Sequence, residues 1–282
     1  MNRNNTINIL ENNDIKVKKK FGQNFLHDEN ILNKIATSIE IENKNIIEIG
    51  PGLGFLTNKL VTCAKKMVSY EIDIEMVQYL EEHFKEQKNL EIVNKDFLKV
   101  DLQKEIKEKF NDENVVLIAN LPYYITTAIL TKVLEETNKV EKMVVMMQKE
   151  VAQRITGKPS TKDYNSLSVL IQYFTNAKML FNVSPNCFYP APEVESSVIE
   201  ISKKEKIDNP AINLEFFLKF NRNIFAQRRK TLMNNLQNAY KVDKKIFEDA
   251  LIYMNLPLTV RAENLTVNQI VDLSNYIYLK IK

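Results

Sequence analysis

The sequence predicts an α/β fold, a mostly parallel sheet with helices on both faces, followed by a small all-helical domain. Three observations carry this. From about residue 46, short apolar runs alternate with longer amphipathic stretches, and strand then helix, repeated, calls for crossover connections and parallel strands. The polar run KKEKIDNP after Ser202 ends in a proline and reads as a linker. Beyond it the β-rich runs stop, and Phe216, Phe217, Phe220 and Ile224 fall on one helical face.

In chain order, the Asn/Lys-rich residues 1–20 read as a flexible basic segment. They lack the apolar core of a signal peptide, and no stretch approaches the roughly 20 apolar residues of a membrane span. A cytoplasmic protein without membrane contact is expected. NIIEIG, KMVSYEI, LEIVNKD, NVVLIAN, KMVVMMQ, SLSVLIQYF and SSVIEIS read as strands. GFLTNKLVTCA places Leu56, Leu60, Val61 and Ala64 at helical spacing, and MVQYLEEHF is a second helix. These elements define one domain over residues 21–202. Residues 208–282 form the helical domain, where Thr266 and Gln269 make a capping box before IVDLSNYIYL.

A chain of 282 residues, 44% of them hydrophobic, can bury a full core. Cys63 and Cys187 are its two cysteines, far apart and without CxxC spacing, so neither a disulfide framework nor a zinc cluster is indicated and no metal is expected. His27 and His83, the two histidines, have no partner motif nearby, which argues against Ser-His and Cys-His hydrolases. Net charge divides unevenly. Residues 1–40 carry 6 basic and 5 acidic side chains, residues 41–202 carry 19 and 23, and residues 203–282 carry 14 and 8. The +6 tail suits a polyanionic partner, although solubilising lysines alone would give the same balance.

Glu48-Ile49-Gly50-Pro51-Gly52-Leu53-Gly54 follows the first strand and opens its helix. Glycine lets backbone approach a ligand closely, and a helix N-terminus supplies free N–H groups. A dinucleotide fingerprint wants a third glycine where Phe55 stands, which counts against NAD. The spacing instead resembles the S-adenosylmethionine loop of Rossmann-like methyltransferases. Glu71 ends the next strand about 20 residues on, where an acid accepts from both ribose hydroxyls. Asp96 ends the third strand before Phe97, where a carboxylate can accept from an adenine amine. Each acid alone reads as a solvated loop charge; three successive strand ends read as a site.

Asn120-Leu121-Pro122-Tyr123 resembles the N-[PIL]-P-[YF] signature of methyltransferases acting on exocyclic base amines or amides. Such an amine is a poor nucleophile because its lone pair is delocalised into the ring. Acceptance of its two N–H bonds by the Asn120 side chain and the Leu121 carbonyl favours a pyramidal nitrogen and stabilises developing positive charge. Pro122 fixes the backbone, and Tyr123 offers a face for an extruded base. A plain turn would account for the proline alone.

KKKFGQNFLHD, EIGPGLGFLT, NLPYYI, MQKEVAQRI, SPNCFYPAPEVESSV and FAQRRKTLMNNL together resemble the bacterial small-subunit ribosomal RNA adenine dimethyltransferases, the kasugamycin-sensitivity family, over nearly the whole chain. The resemblance implies a Rossmann-like S-adenosylmethionine-dependent methyltransferase domain with a helical C-terminal domain. It implies that Asn24 and Leu26 join Gly50, Gly52, Glu71, Asp96 and Asn120 in binding S-adenosylmethionine, and that Phe188 stacks beside the target base. It further implies a substrate: two adjacent adenosines in the 3′-terminal hairpin loop of 16S rRNA, dimethylated within immature 30S subunits. The chain is expected to act as a monomer. Arg228, Arg229 and Lys230, read as lying on a helix, are expected to contact RNA phosphates, with Lys18, Lys19 and Lys20 adding to them. Asn165 stands where the family usually shows glycine, and asparagine tolerates the left-handed conformation such a turn would need. Two alternatives remain. One is a large-subunit rRNA adenine methyltransferase of the macrolide-resistance type, which typically shows NIPY and lacks SPNCFYPAPEVESSV. The other is a non-catalytic assembly or transcription factor on the same scaffold, which tends to erode the cofactor residues kept here.

Overall fold

The computed structural model describes residues 3–282, with Lys19 by its backbone alone. Residues 1 and 2 of the basic N-terminal segment, and the Lys19 side chain expected on the RNA surface, lie outside the described residues. The chain runs α1 (Arg3–Asn12), β1 (Phe25–Leu26), α2 (Glu29–Ala36), β2 (Asn45–Ile49), α3 (Thr57–Leu60), β3 (Lys66–Glu71), α4 (Ile74–His83), β4 (Leu90–Asn94), α5 (Leu102–Phe110), β5 (Val115–Asn120), α6 (Thr126–Glu136) and β6 (Val140–Gln148). It continues α7 (Lys149–Ile155), α8 (Ser166–Phe174), β7 (Thr175–Val183), β8 (Phe188–Tyr189), β9 (Ser196–Lys203), α9 (Leu214–Ile224), α10 (Leu232–Ala239), α11 (Lys244–Tyr253) and α12 (Val267–Ile281).

Two compact units result. The first holds residues up to Ala152 together with Ala177–Lys203. Its seven-stranded sheet has the order β4-β3-β2-β5-β6-β9-β7. β2 to β6 pair in parallel and β9 runs antiparallel to β6. All five residues of β2 are buried, as expected of a central parallel strand covered on both faces. Burying an aliphatic side chain such as Ile46 or Ile47, both 0% exposed, contributes about 1.5–3 kcal/mol each. Strand order reverses between β2 and β5, and the carboxyl ends flanking that reversal are where α/β sheets open a ligand crevice. A separate two-stranded pair joins β1 to β8.

Within the first unit, α1 departs from the expected flexible segment: residues 3–12 are helical, and Thr6 and Leu10 are buried, Leu10 in the unit's hydrophobic core.

The second unit holds Gln153–Asn176 and Lys204–Lys282. Its core joins Tyr164, Val169 and Tyr173 to Phe217, Phe220, Leu236, Phe247 and Ile277. The segment 153–176, assigned by sequence to the first domain, therefore packs with the C-terminal helices. SLSVLIQYF is helix α8, not a strand. Asn165 is its N-cap with φ −157°, and a capping box joins Asn165 to Ser168. The left-handed turn expected at Asn165 is absent, because the residue serves as an extended cap. The capping box at Thr266 and Gln269 opens α12 as expected.

Candidate active site

Strand register sets the site. Ile49 pairs with Tyr70 on β3 and with Ala119 on β5, so the next residues, Gly50, Glu71 and Asn120, emerge in one row at the carboxyl edge. The loop that follows holds two glycines for different reasons. Gly52 has φ +58°, and a Cβ there would sit 3.0 Å from the Phe25 ring, while its N–H donates to Glu71 Oε2 at 3.3 Å. Gly54 has φ +75°, and a Cβ would meet Phe84 at 2.6 Å; its role is close packing against α4 and the residue that ends it.

Beside this row lies a cavity of about 270 Å³, lined by Asn24, Leu26, Gly50, Gly52, Glu71, Asp96, Asn120, Leu121, Pro122 and Tyr123 among others. Ten of the predicted residues thus meet in one place. Glu71 is 6% exposed. Burial pushes its carboxyl up, against the backbone N–H groups of Asp73, Gly52 and Ile72. Asp73 N–H reaches Oε1 at 2.9 Å. A carboxylate offers about four lone-pair sites, so acceptor capacity is left for ligand hydroxyls. Asp96 spends Oδ1 on the Leu98 N–H at 3.0 Å; among the described residues Oδ2 accepts nothing. Beneath them Glu48 is 1% exposed and accepts from Thr57 at 2.7 Å and Ser69 at 2.9 Å. Burial chiefly pushes its carboxyl up to about 7. Sequence registered Glu48 only as the acid preceding the loop.

Asn120 Nδ2 donates to the Asn24 carbonyl at 3.2 Å. A carbonyl can only accept, so this contact fixes which end of the amide is nitrogen and leaves Oδ1 as a free acceptor among the described residues. Leu121 N–H donates to the Met146 carbonyl at 3.0 Å, and its own carbonyl accepts nothing among the described residues. Tyr123 is half-buried with its hydroxyl 2.7 Å from Ser196 Oγ. Its neighbour Tyr124, which sequence did not single out, is 61% exposed and also lines the cavity. Burial, then the charges of Asp96 and Glu71, push the Tyr124 phenol up.

The set fits S-adenosylmethionine. Two carboxylates offer acceptors for hydroxyls and an adenine amine. The Gly50 and Gly52 backbone borders the cavity, and Ile72, Phe97 and Leu98 supply apolar walls.

Other predicted residues lie elsewhere. Phe188, expected to stack on the base, is 3% exposed and belongs to the hydrophobic core, because its strand pairs Phe188 with Leu26. Arg228, Arg229 and Lys230 are exposed on the turn between α9 and α10, not on a helix. Buried Asn235 donates to the Ile224 and Gln227 carbonyls at 2.9 and 3.2 Å and so holds that turn. Arg228 Nε pairs with Glu263 at 2.7 Å. Lys18 is turned inward to Asp73 and Glu75 at 2.6 and 3.0 Å, and Lys20 lies over the Phe21 ring at 4.7 Å. Asp73 and Gln23 were also not singled out, although Asp before an amphipathic run is a readable cap.

The family described as ribosomal RNA adenine dimethylase matches residues 14–279. The chain is 44% identical over 277 residues to ribosomal RNA small subunit methyltransferase A of Bacillus cytotoxicus, covering 96% of this chain and 95% of that one. It is 42% identical over 281 residues to the protein of the same name from Bacillus mycoides, covering 98% and 96%. Among solved structures it is similar to a dimethyladenosine transferase from Plasmodium falciparum, with TM-score 0.73, 25% identity, and 88% of this chain and 95% of that chain covered. It is also similar to 23S rRNA methyltransferase ErmE, with TM-score 0.67, 25% identity, and 90% and 100% covered.

Proposed function

Because the chain belongs to the ribosomal RNA adenine dimethylase family, we propose that it dimethylates the N6 amines of two adjacent adenosines in the 3′-terminal hairpin loop of 16S rRNA. It is an S-adenosylmethionine-dependent rRNA adenine dimethyltransferase. Its substrate in this reading is the immature 30S subunit late in assembly, and it works as a cytoplasmic monomer. The small-subunit name of relatives 42–44% identical favours this target over the large-subunit alternative. No helix among the described residues is long and apolar enough to cross a membrane.

One observation carries the chemistry: Asn120 lines the cavity with Glu71 and Asp96, and its amide nitrogen is engaged by the Asn24 carbonyl, which leaves Oδ1 as the free acceptor among the described residues. Glu71 takes the ribose hydroxyls of the cofactor, Asp96 takes its adenine amine, and Asn24, Leu26, Gly50 and Gly52 complete the cradle. When bound, S-adenosylmethionine supplies a methyl group on positively charged sulfur. Asn120 Oδ1 and the Leu121 carbonyl accept the two N–H bonds of the target amine and aim its lone pair. The same acceptors stabilise the positive charge that grows on that nitrogen. A monomethylated amine keeps one N–H, so one acceptor remains in use for the second transfer. Tyr123, tethered through Ser196, borders the base, and Arg229 and Lys230 meet RNA phosphates without reading sequence.

Incubation of immature 30S particles with methyl-labelled S-adenosylmethionine tests the reading. Label should appear as dimethyladenosine at two adjacent positions of the 16S 3′ hairpin. Label in 23S rRNA, or none in either, would overturn it.

A further inference from the structure

We propose that Asp73 is a positioning residue of the transfer site, anchoring the N-terminal segment whose Asn24 carbonyl holds the Asn120 amide. The inference rests on the reading that Asn120 accepts from the target amine.

Asp73 is 1% exposed, and a carboxylate so removed from water is costly unless its lone pairs are met. Among the described residues its partners come from two places. The Glu75 N–H reaches Oδ1 at 3.2 Å as an N-cap of α4. Lys18 Nζ reaches Oδ1 at 2.6 Å, and Gln23 Nε2 reaches Oδ2 at 2.9 Å. Asparagine or serine would cap the helix as well without burying a charge. The negative charge is therefore explained by Lys18 and Gln23, not by the helix.

Those two residues bracket a closed loop of chain. The Lys18 N–H donates to Gln23 Oε1 at 2.7 Å, so residues 18–23 are folded around the Asp73 carboxylate. Asn24 comes next. Its side chain donates to the Gly22 carbonyl at 3.1 Å, and its carbonyl accepts from Asn120 at 3.2 Å. Turned by half a rotation, the Asn120 amide would present N–H groups to an amine that also donates. The Asn24 carbonyl selects the accepting face, and the position of that carbonyl depends on the loop that Asp73 holds. Asp73 also donates its N–H to Glu71, so one short segment, residues 71–73, serves both halves of the site. Lys18 is held more basic than an ordinary lysine chiefly by its Asp73 bond, as a working ion pair requires.

Gln23→Met and Lys18→Met loosen the loop while leaving Asp73 in place as the α4 cap. Single-turnover methylation of immature 30S particles is measured at saturating S-adenosylmethionine, beside particle binding, cofactor affinity by calorimetry and thermal midpoint. Each variant should react roughly tenfold more slowly, a coupling ordinary for residues of one hydrogen-bond network, with particle binding unchanged. In an Asn120→Ala background, Gln23→Met should cost less than about twofold more, because the amide it positions is gone. An Asn120→Ala enzyme that reacts at the wild-type rate removes the amine-holding premise and the proposal with it. If Asn120→Ala is slow but both methionine variants keep the wild-type rate, or if Gln23→Met loses the same factor in both backgrounds, Asp73 is only a structural anchor and the proposal fails.

Discussion

Thr57 and Glu48 face each other across the turn from β2 to α3, hydroxyl to carboxyl at 2.7 Å, and both are buried. Burial raises the Glu48 carboxyl from its ordinary 4.5 to about 7. Between those two values the folded protein keeps a proton that the unfolded chain releases, so stability falls as pH rises through this window and levels off above it. Glu48→Gln keeps an acceptor for Thr57 and Ser69 and removes the titration. Relative to wild type it should gain up to about 3 kcal/mol by pH 8, a gain that vanishes near the ordinary carboxylate value. Urea unfolding of both proteins at pH 5 and pH 8 measures this; a difference that does not change with pH would mean that Glu48 is not the titrating group.

Glu71 should govern cofactor affinity. Glu71→Ala removes the acceptors offered to the ribose hydroxyls and also frees the Gly52 and Asp73 N–H groups that it now receives. Calorimetric binding of S-adenosylmethionine should weaken by about 1–3 kcal/mol. Glu71→Gln keeps one acceptor oxygen and should lose less. Unchanged affinity in the alanine variant would move the ribose subsite elsewhere.

The strands around the site were legible because central parallel strands are nearly continuous apolar runs, as NIIEIG and NVVLIAN are. SLSVLIQYF looks the same for another reason: Leu167, Ser168, Val169, Leu170, Ile171 and Tyr173 are all buried, which erases helical periodicity. The Asn165 and Ser168 box was the readable clue. Phe188 could not be placed from sequence, since its burial depends on pairing with distant Leu26. The turn at Arg228 was hidden too, because Asn235 holds it from the following helix.

Asn165 is the N-cap of α8 and the acceptor of its capping box. An N-cap tolerates glycine nearly as well as asparagine but not alanine. Asn165→Gly should cost a few tenths of a kcal/mol and Asn165→Ala about 1 kcal/mol, read from urea midpoints. An alanine variant as stable as wild type would show that the capping box contributes nothing.

Phosphate contacts by the turn should make RNA affinity steeply salt-dependent. Arg229 and Lys230 are exposed, whereas Arg228 is already paired with Glu263. Neutralising Arg229 and Lys230 together should flatten a plot of log affinity against log salt by up to about two units, and adding Arg228→Ala should change it little further. An unaltered slope after the double substitution would assign the turn to solvent.

Asn120 should matter to chemistry far more than to docking. Asn120→Ala deletes an acceptor aimed at charge that develops only as the methyl group arrives, and the comparable loss of one oxyanion-hole donor costs about 10²–10³ in rate. Its amide also touches the N-terminal segment through Asn24, so the comparison is made at saturating S-adenosylmethionine to separate binding from transfer. Single-turnover methylation of immature 30S particles should slow by that factor while particle affinity stays within about twofold, since a residue acting on the transition state adds little to ground-state binding. A wild-type rate would make the stretch after β5 an ordinary turn. Loss of rate and particle affinity together would instead show that Asn120 maintains the structure of the segment, and the role of holding the amine would pass to the Leu121 carbonyl alone.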